Sequence, residues 1–249
     1  MKSCIAMNIY CNQGKVDLAY QTSQEGLKLA EESGDTFSKA EAYTSCGYSS
    51  LLKGFLDKAE DYLMRGIVSS EKINYSTMNM LASFWLGLTY FEQGEYPRSQ
   101  YYYNKFISAC EQRKIFPSWI NLGKIALAGA KAMNNEKTLN LDVLYEYAEQ
   151  NKVKNYEGHM KRGIGELLLN IDDQHLSESE HWIQKAIEAD QKNRKMFFLG
   201  DDYALYAELF RRKGDRLKAR ENLGKAAEIL KECGADGWVE KYERKLASL

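Results

Sequence analysis

Four glycines recur at an interval of 40 residues or a multiple of it: Gly14, Gly54, Gly94 and Gly214. Each follows a polar or basic stretch and precedes a short turn and a new amphipathic run, as in NQGKVDLA and RKGDRLKA. Helices commonly end at a residue in the left-handed conformation, which glycine adopts without strain. The interval therefore predicts an internal repeat of helices, and six copies fit the 249 residues without an insertion.

Two positions of this lattice lack glycine and are occupied by Asn134 and Gln174. Asparagine tolerates the left-handed conformation best after glycine, so we expect a helix to end at Asn134. Gln174 does not suit that role, and the segment NIDDQHLSESE predicts a longer, differently shaped turn. Ser177 and Glu180 form a capping-box pattern that places the next helix start near Ser177.

Apolar residues on either side of the glycines recur at intervals of three and four, as in SFWLGLTYFEQ, which predicts amphipathic helices. The chain has only two prolines, which also suits long helices. Small residues recur at one offset after the glycines, and again seven positions later, so that two antiparallel helices can approach closely. These small residues are Ala19, Ala59, Ser99, Ser179 and Ala219, followed by Gly26, Gly66, Ala186 and Ala226.

The pattern resembles the tetratricopeptide repeat (TPR), whose marks are a large residue, Leu-Gly, Tyr, and then a spaced Ala, aromatic and Ala. The third copy carries it most fully, with Leu86, Gly87, Tyr90, Gly94, Tyr96, Ser99 and Tyr103. The second and last copies carry parts of it, and the fourth and fifth are degenerate. The resemblance implies an all-α, right-handed superhelical solenoid of about six antiparallel helix hairpins with a C-terminal capping helix.

We expect a single repeat domain over residues 1–249. Its repeats are predicted at residues 1–34, 35–74, 75–114, 115–154, 155–194 and 195–233, with the capping helix at 235–249. Trp238 and Tyr242 are four residues apart and would cover the apolar face that the last hairpin leaves open.

The repeat departs from the usual family pattern in two ways. Its period is 40 residues rather than about 34, and the proline that closes each unit is absent. A HEAT-like array, with a period of about 40–47 residues, is the rival interpretation. The recurring small residues favour the TPR interpretation.

The long period and the last fifty residues resemble the C-terminal repeat region of bacterial signalling proteins. In those proteins an AAA- or STAND-type ATPase, often beside a nucleotide cyclase or protein kinase domain, precedes the repeats. Met1 falls inside the first predicted helix with no N-cap before it, so we expect a fragment of a longer chain. Any catalytic domain would then lie outside these residues.

Bulk properties exclude several classes of protein. The formal net charge of −1 argues against duplex nucleic acid as a partner. No apolar run reaches about 18 residues, and the start has no secretory cleavage pattern, so we expect neither a membrane span nor export. Five cysteines without a CxxC pair favour free thiols and a cytoplasmic location.

No pattern of catalytic or metal-binding residues emerges. The three histidines, His159, His175 and His181, have no i, i+4 spacing and no cysteine beside them, which argues against a metal site. GIGE at residues 163–166 lacks the remaining residues of a phosphate loop. We therefore expect no cofactor and no enzymatic activity.

The concave face of such a solenoid is made by the first helix of each hairpin. The resemblance implies a partner-binding groove that is apolar at Tyr48, Leu51, Phe84, Leu88 and Phe91 and basic at Lys124, Lys131 and Arg211. The alternative is that these apolar side chains are buried between hairpins.

Two functions remain open at this point. The first is a regulatory scaffold that binds a peptide, a partner protein or a domain of the same parent protein in the groove. The second is a small-molecule effector sensor, with a pocket lined by Tyr48, Phe84 and Lys124. Self-association through an open N-terminal hairpin is a third, weaker option.

Overall fold

The computed structural model describes residues 1–136 and 139–249, and no β-strand occurs among them. Consecutive helices pack against each other in pairs throughout both described ranges, so the predicted all-α class is confirmed. The chain divides into two compact units, an N-terminal unit, Met1–Lys114, and a C-terminal unit, Ile115–Leu249.

The N-terminal unit contains three helical hairpins. Its helices are α1 (Lys2–Ile5), which continues as a π-helical turn (Ala6–Tyr10), α2 (Val16–Ser33), α3 (Thr36–Lys53), α4 (Leu56–Lys72), α5 (Ser76–Gln93) and α6 (Tyr96–Arg113). Each helix packs against the next one along the chain.

The C-terminal unit contains a short, irregular hairpin followed by regular ones. Its helices are α7 (Pro117–Met133), α8 (Leu141–Glu149), α9 (Lys154–Ile171), α10 (Leu176–Lys192), α11 (Met196–Arg212), α12 (Arg216–Cys233) and α13 (Asp236–Ser248). Because α8 has only nine residues, α9 packs more extensively against α7 than against α8.

The four glycines of the lattice close the turns as predicted. The backbone φ angle is +70° at Gly14, +80° at Gly54 and Gly94, and +79° at Gly214. All four values lie in the left-handed region, where a side chain would be strained. At each of these positions a helix or helical turn ends and the next helix begins within two residues.

A second set of left-handed residues ends the other helix of most hairpins. It comprises Gly34, Asn74, Lys114, Arg194 and Gly234, which follow the same 40-residue interval with one position missing. Only two of them are glycines, so the glycine pattern alone did not reveal this set.

The two lattice positions without glycine differ from expectation in part. Asn134 has a φ of −91° and is not left-handed, whereas Asn135 has a φ of +61°. The prediction at Asn134 was therefore wrong by one residue: α7 ends at Met133, and its C-cap, Asn134, has ordinary backbone angles.

The turn near Gln174 is a 3₁₀ helix, Asp173–His175, and α10 begins at Leu176, which confirms a start near Ser177. Ser177 is nevertheless not the N-cap. The side chain of Asp172 instead accepts a hydrogen bond from the Gln174 amide, at 2.9 Å.

Small residues bring the paired helices close together. A Cβ atom on Gly66 would lie 2.7 Å from Thr44 Oγ1 on the facing helix. Ser99 and Ser179 are fully buried, and each donates its hydroxyl to the carbonyl of a glycine on the helix before it, Gly87 and Gly165, at 2.7 Å in both cases. These contacts explain why the small residues recur.

The last helix covers the end of the final hairpin. Trp238 and Tyr242 of α13 are buried, with ring centroids 6.3 Å apart, and α13 packs against α12. The predicted capping helix is confirmed.

Candidate interaction surface

The first helices of successive hairpins lie side by side within each unit. In the N-terminal unit α3 packs against both α1 and α5, and in the C-terminal unit α9 packs against both α7 and α11. We call the side chains that project from these first helices on the side away from the second helices the inner face of each unit.

The second helices of the N-terminal unit are joined mainly by long side chains. Tyr62 of α4 donates to Gln24 of α2 at 3.3 Å, and Arg98 of α6 forms an ion pair with Glu60 of α4 at 3.0 Å. The first helices are in direct contact, whereas the second helices are bridged by long side chains. The inner face is therefore the narrower side of the unit.

An aromatic stack occupies the inner face of the N-terminal unit. The rings of Tyr48 on α3 and Trp85 on α5 lie 3.9 Å apart and nearly parallel. Both are buried, because the stack fills the space between the two helices. Leu81 and Leu88 lie one turn to either side of Trp85 on α5 and are partly exposed.

Three of the predicted groove residues lie in the interior. Tyr48, Leu51 and Phe84 are 4%, 3% and 1% exposed. Phe84 packs against Tyr103 and Phe106 of α6, with ring centroids 5.7 and 5.1 Å away. Phe84 thus joins the first and second helices of its hairpin, and all three side chains present little surface to a ligand.

Two other predicted groove residues keep exposed surface. Leu88 and Phe91 on α5 are both partly exposed, and the ring of Phe91 lies 5.7 Å from that of Tyr96 in an edge-on arrangement. Leu81 has comparable exposure, and its spacing of seven residues from Leu88 places it on the same helix face.

The three predicted basic residues lie in the C-terminal unit. Lys124 and Lys131 on α7 are partly exposed, and Lys124 Nζ lies 5.6 Å from the centroid of the Tyr147 ring. Arg211 on α11 is exposed and makes two hydrogen bonds to Glu208, at 2.8 and 2.7 Å. Glu208 thus neutralises much of the charge that Arg211 would offer to an acidic partner.

The inner face of the C-terminal unit carries charged and aromatic groups beyond the eight predicted groove residues. Arg162 on α9 forms a 2.8 Å ion pair with Asp201 on α11, and both side chains are largely buried. His159 lies one turn earlier on α9, with its ring 5.2 Å from that of Phe198. Burial and the charge of Arg162 hold the pKa of His159 well below its usual range, so this imidazole is neutral at pH 7.

Two further acids lie behind this ion pair. Asp190 on α10 and Asp202 on α11 are 2% and 0% exposed, and Arg162 Nε is 3.8 Å from Asp202 Oδ1. Burial is the main cause that raises the pKa of Asp190 to about 7, and it raises the pKa of Asp202 well above its usual range. A sequence signal existed, since Asp202 is seven residues before Leu209 and shares its buried helix face.

No group of three or more His, Cys, Asp or Glu side chains suited to a metal ion occurs within residues 1–136 and 139–249. All five cysteines are free thiols. None of the helices in the described ranges is long and apolar enough to cross a membrane.

Comparisons with known proteins give little further guidance. No family model matches the sequence, and no curated protein matches it. Among solved structures the chain is similar to YrrB, described as a TPR protein with an unusual peptide-binding site, at 18% identity over 88% of this chain and 99% of that chain. The TM-score of this likeness is 0.43.

Proposed function

We propose that this chain is a non-catalytic scaffold that binds a peptide or a partner domain along the inner faces of its units. The observation that carries the proposal is the partly exposed strip Leu81 and Leu88 on α5. These two side chains flank the Tyr48–Trp85 stack, whereas Phe91 lies on the helix face of Phe84 and packs against Tyr96 of α6. Such a strip suits the apolar face of a partner helix or peptide.

The stack beneath the strip favours binding because it is already packed. Partly exposed leucines on a rigid helix lose little conformational freedom when they are covered. The contact is therefore expected to come from burying Leu81 and Leu88 rather than from rearranging the hairpins. Tyr48, Leu51 and Phe84 would support the surface from below.

The charged inner face of the C-terminal unit would select partners by charge. Lys131 on α7 is partly exposed and offers positive charge to an acidic segment, whereas Lys124 lies over the Tyr147 ring and Arg211 is paired with Glu208. Rim charges of this kind change association rates and specificity more than affinity.

The wider context of the scaffold is also part of the proposal. We infer that the chain is the sensor or partner-binding region of a bacterial, cytoplasmic, multidomain signalling protein, and that its ligand is another protein or a domain of the same parent protein. The long repeat period and the last fifty residues support this inference. An ATPase, cyclase or kinase domain encoded in frame before Met1 is the expected finding, and a stop codon directly before Met1 would contradict it.

A peptide selection tests the binding surface. A displayed library of random helical and extended peptides is selected against the full chain, and the affinity of the enriched peptides is measured for the wild type and for Leu88→Asp. We expect Leu88→Asp to weaken binding at least about tenfold, because a buried carboxylate at the contact is strongly unfavourable.

Leu217→Asp is the matched control, since Leu217 is 70% exposed on α12, a second helix. It should leave the affinity unchanged. Circular dichroism must show that both variants keep their helical content. If a well-folded Leu88→Asp chain binds the enriched peptides as tightly as the wild type, the strip on α5 is not the binding surface.

A further inference from the structure

Asp190 and Asp202 form a buried acid pair in the C-terminal unit, where α9, α10 and α11 meet. Asp190 lies in the last turn of α10 and Asp202 in the second turn of α11, and neither has appreciable exposed surface. Within the described residues no N–H or O–H group donates a hydrogen bond to Asp190 Oδ2 or to either oxygen of Asp202. A buried carboxylate without donors retains its proton, because ionisation there is strongly unfavourable.

The cation nearest to the pair is engaged by another acid. Arg162 on α9 places Nη1 2.8 Å from Asp201 Oδ2, whereas its Nε is 3.8 Å from Asp202 Oδ1. Arg162 therefore interacts more strongly with Asp201 than with Asp202. His159, the other titratable group that α9 directs toward this region, is held neutral by its surroundings, as its lowered pKa indicates.

The remaining neighbours do not neutralise the pair either. Lys195, in the turn between α10 and α11, acts on Asp190 at longer range, and its ammonium bonds to Asn155. From α12 the Cys233 thiol lies near Asp201, and burial raises the pKa of that thiol to about 11, so it stays uncharged. The carboxyl groups of Asp190, Asp201 and Asp202 thus face two cations, Arg162 and Lys195. A bound proton balances the remaining negative charge.

Close packing keeps the pair in place. A Cβ atom on Gly158 of α9 would lie between 2.1 and 2.4 Å from the carboxyl atoms of Asp190. The backbone of α9 therefore contacts this carboxyl group directly, and there is no room for a side chain at position 158. A charge that develops on Asp190 must be accommodated by moving α9, α10 or α11.

We propose that the proton of Asp202 is shared with Asp190 in a pH-sensitive hydrogen bond, which holds α9, α10 and α11 together while both carboxyl groups are protonated and loosens them when the pair ionises. In the proposed contact the protonated Asp202 carboxyl group is the donor and Asp190 the acceptor. Below neutral pH both groups are protonated, and the contact carries no net charge.

The direction of the effect follows from the pKa values of the folded and unfolded chain. Folding raises the pKa of Asp190 from 3.8 to about 7, and burial likewise raises the pKa of Asp202 well above its usual range. The stabilisation is fully present below about pH 4 and is lost as the pH rises through about 7, since the unfolded chain releases these protons first. Stability of the C-terminal unit therefore decreases from mildly acidic to mildly alkaline pH.

Unfolding of the full chain between pH 5 and 8.5 tests the proposal. Hydrogen exchange, corrected for the intrinsic pH dependence, reports the opening of α9, α10 and α11 separately from the rest of the chain. Between pH 5 and pH 8.5, the opening constant of these three helices should rise in the wild type on the order of a hundredfold more than it rises in Asp202→Asn. In the variant the side-chain amide introduced at position 202 donates permanently to Asp190, and the curve should be flatter.

Asp142→Asn is the matched control, because Asp142 on α8 is an exposed carboxylate in the same unit. Its curve should follow the wild type. Carboxyl ¹³C shifts of aspartate in the wild-type chain give a second measurement that does not depend on whether a variant folds. Asp190 is expected to titrate near pH 7, and the pKa of Asp202 is expected well above the usual aspartate range. If all aspartates titrate below pH 5, or if wild type and Asp202→Asn give parallel exchange curves, the shared proton does not exist.

Discussion

The two units use the same helical hairpin but fill their inner faces with different chemistry. In the N-terminal unit the neighbouring first helices α3 and α5 are joined by the stacked rings of Tyr48 and Trp85, 3.9 Å apart. In the C-terminal unit the equivalent neighbours α9 and α11 are joined by the Arg162–Asp201 ion pair, with buried Asp202 behind it. Both units thus repeat the same serine–glycine contact between the paired helices of a hairpin, whereas the inner face varies.

This difference has physical consequences. An aromatic contact depends little on pH and salt, because it arises from buried apolar area and ring packing. A buried ionic contact depends on the protonation of its members and is costly to leave incomplete. The N-terminal unit should thus behave as a rigid binding surface, and the C-terminal unit as the part whose stability responds to conditions.

The largest expected effect tests the aromatic packing of the N-terminal unit. Phe84→Ala should destabilise the N-terminal unit by about 3–5 kcal/mol, because it removes a buried ring that packs against Tyr103 and Phe106 and leaves a cavity. The change should be the same at pH 5 and pH 8. Hydrogen exchange of the α5 and α6 amides at both pH values measures it.

Leu88→Ala is the control for that experiment, since Leu88 is partly exposed on the same helix. It should cost clearly less than Phe84→Ala. A cost below about 1 kcal/mol for Phe84→Ala would instead favour the groove interpretation, in which the ring faces a ligand rather than the core.

The next largest effect tests the packing around the buried acids of the C-terminal unit. Gly158→Ala should destabilise the C-terminal unit by about 1–3 kcal/mol, because the added methyl overlaps the carboxyl group of Asp190 and α9 must shift. Thermal unfolding followed by near-ultraviolet circular dichroism measures the change.

Gly224→Ala on α12 is the matched control, because a Cβ atom there meets nothing within 4 Å. It should stabilise the chain by up to about 1 kcal/mol through helix propensity. If both substitutions stabilise the chain equally, α9 is not in close contact with Asp190.

Sequence analysis predicted much of the fold because its signals are local. A left-handed helix end needs glycine for steric reasons, so Gly14, Gly54, Gly94 and Gly214 were visible without any tertiary knowledge. Lys114 was not, since the left-handed backbone of a non-glycine residue is enforced by the helices on both sides.

The candidate site was less accessible to sequence analysis for a geometric reason. Each helix residue turns by about 100°, so a small error in facing moves a side chain from the inner face to the core. Phe84 and Trp85 are adjacent, and the resemblance alone led to the choice of Phe84, which faces α6. The pairing of Asp190 with Asp202 depends on how close α10 and α11 lie at that point, which neither the periodicity nor the resemblance specifies.

The smallest expected effect tests the contact between paired helices, which both units share. Ser99 and Ser179 are both fully buried, and each bonds to the carbonyl of a glycine on the facing helix, Gly87 and Gly165, at 2.7 Å. Replacing either serine by alanine removes one hydrogen bond and leaves a buried carbonyl without its side-chain donor. Each change should therefore cost about 1 kcal/mol, independently of the inner-face chemistry of its unit.

Local hydrogen exchange in α5 and α9 measures the two costs in the same chain. Equal costs at pH 5 and pH 8 would show that the contact between paired helices is a common element of both units. If Ser179→Ala alone became more costly as the pH rises, the hairpin contact of α9 and α10 would be coupled to the acid pair, because both lie on the same two helices. The ionic inner face would then weaken the hairpin itself, whereas the aromatic face of the N-terminal unit leaves its hairpin unaffected.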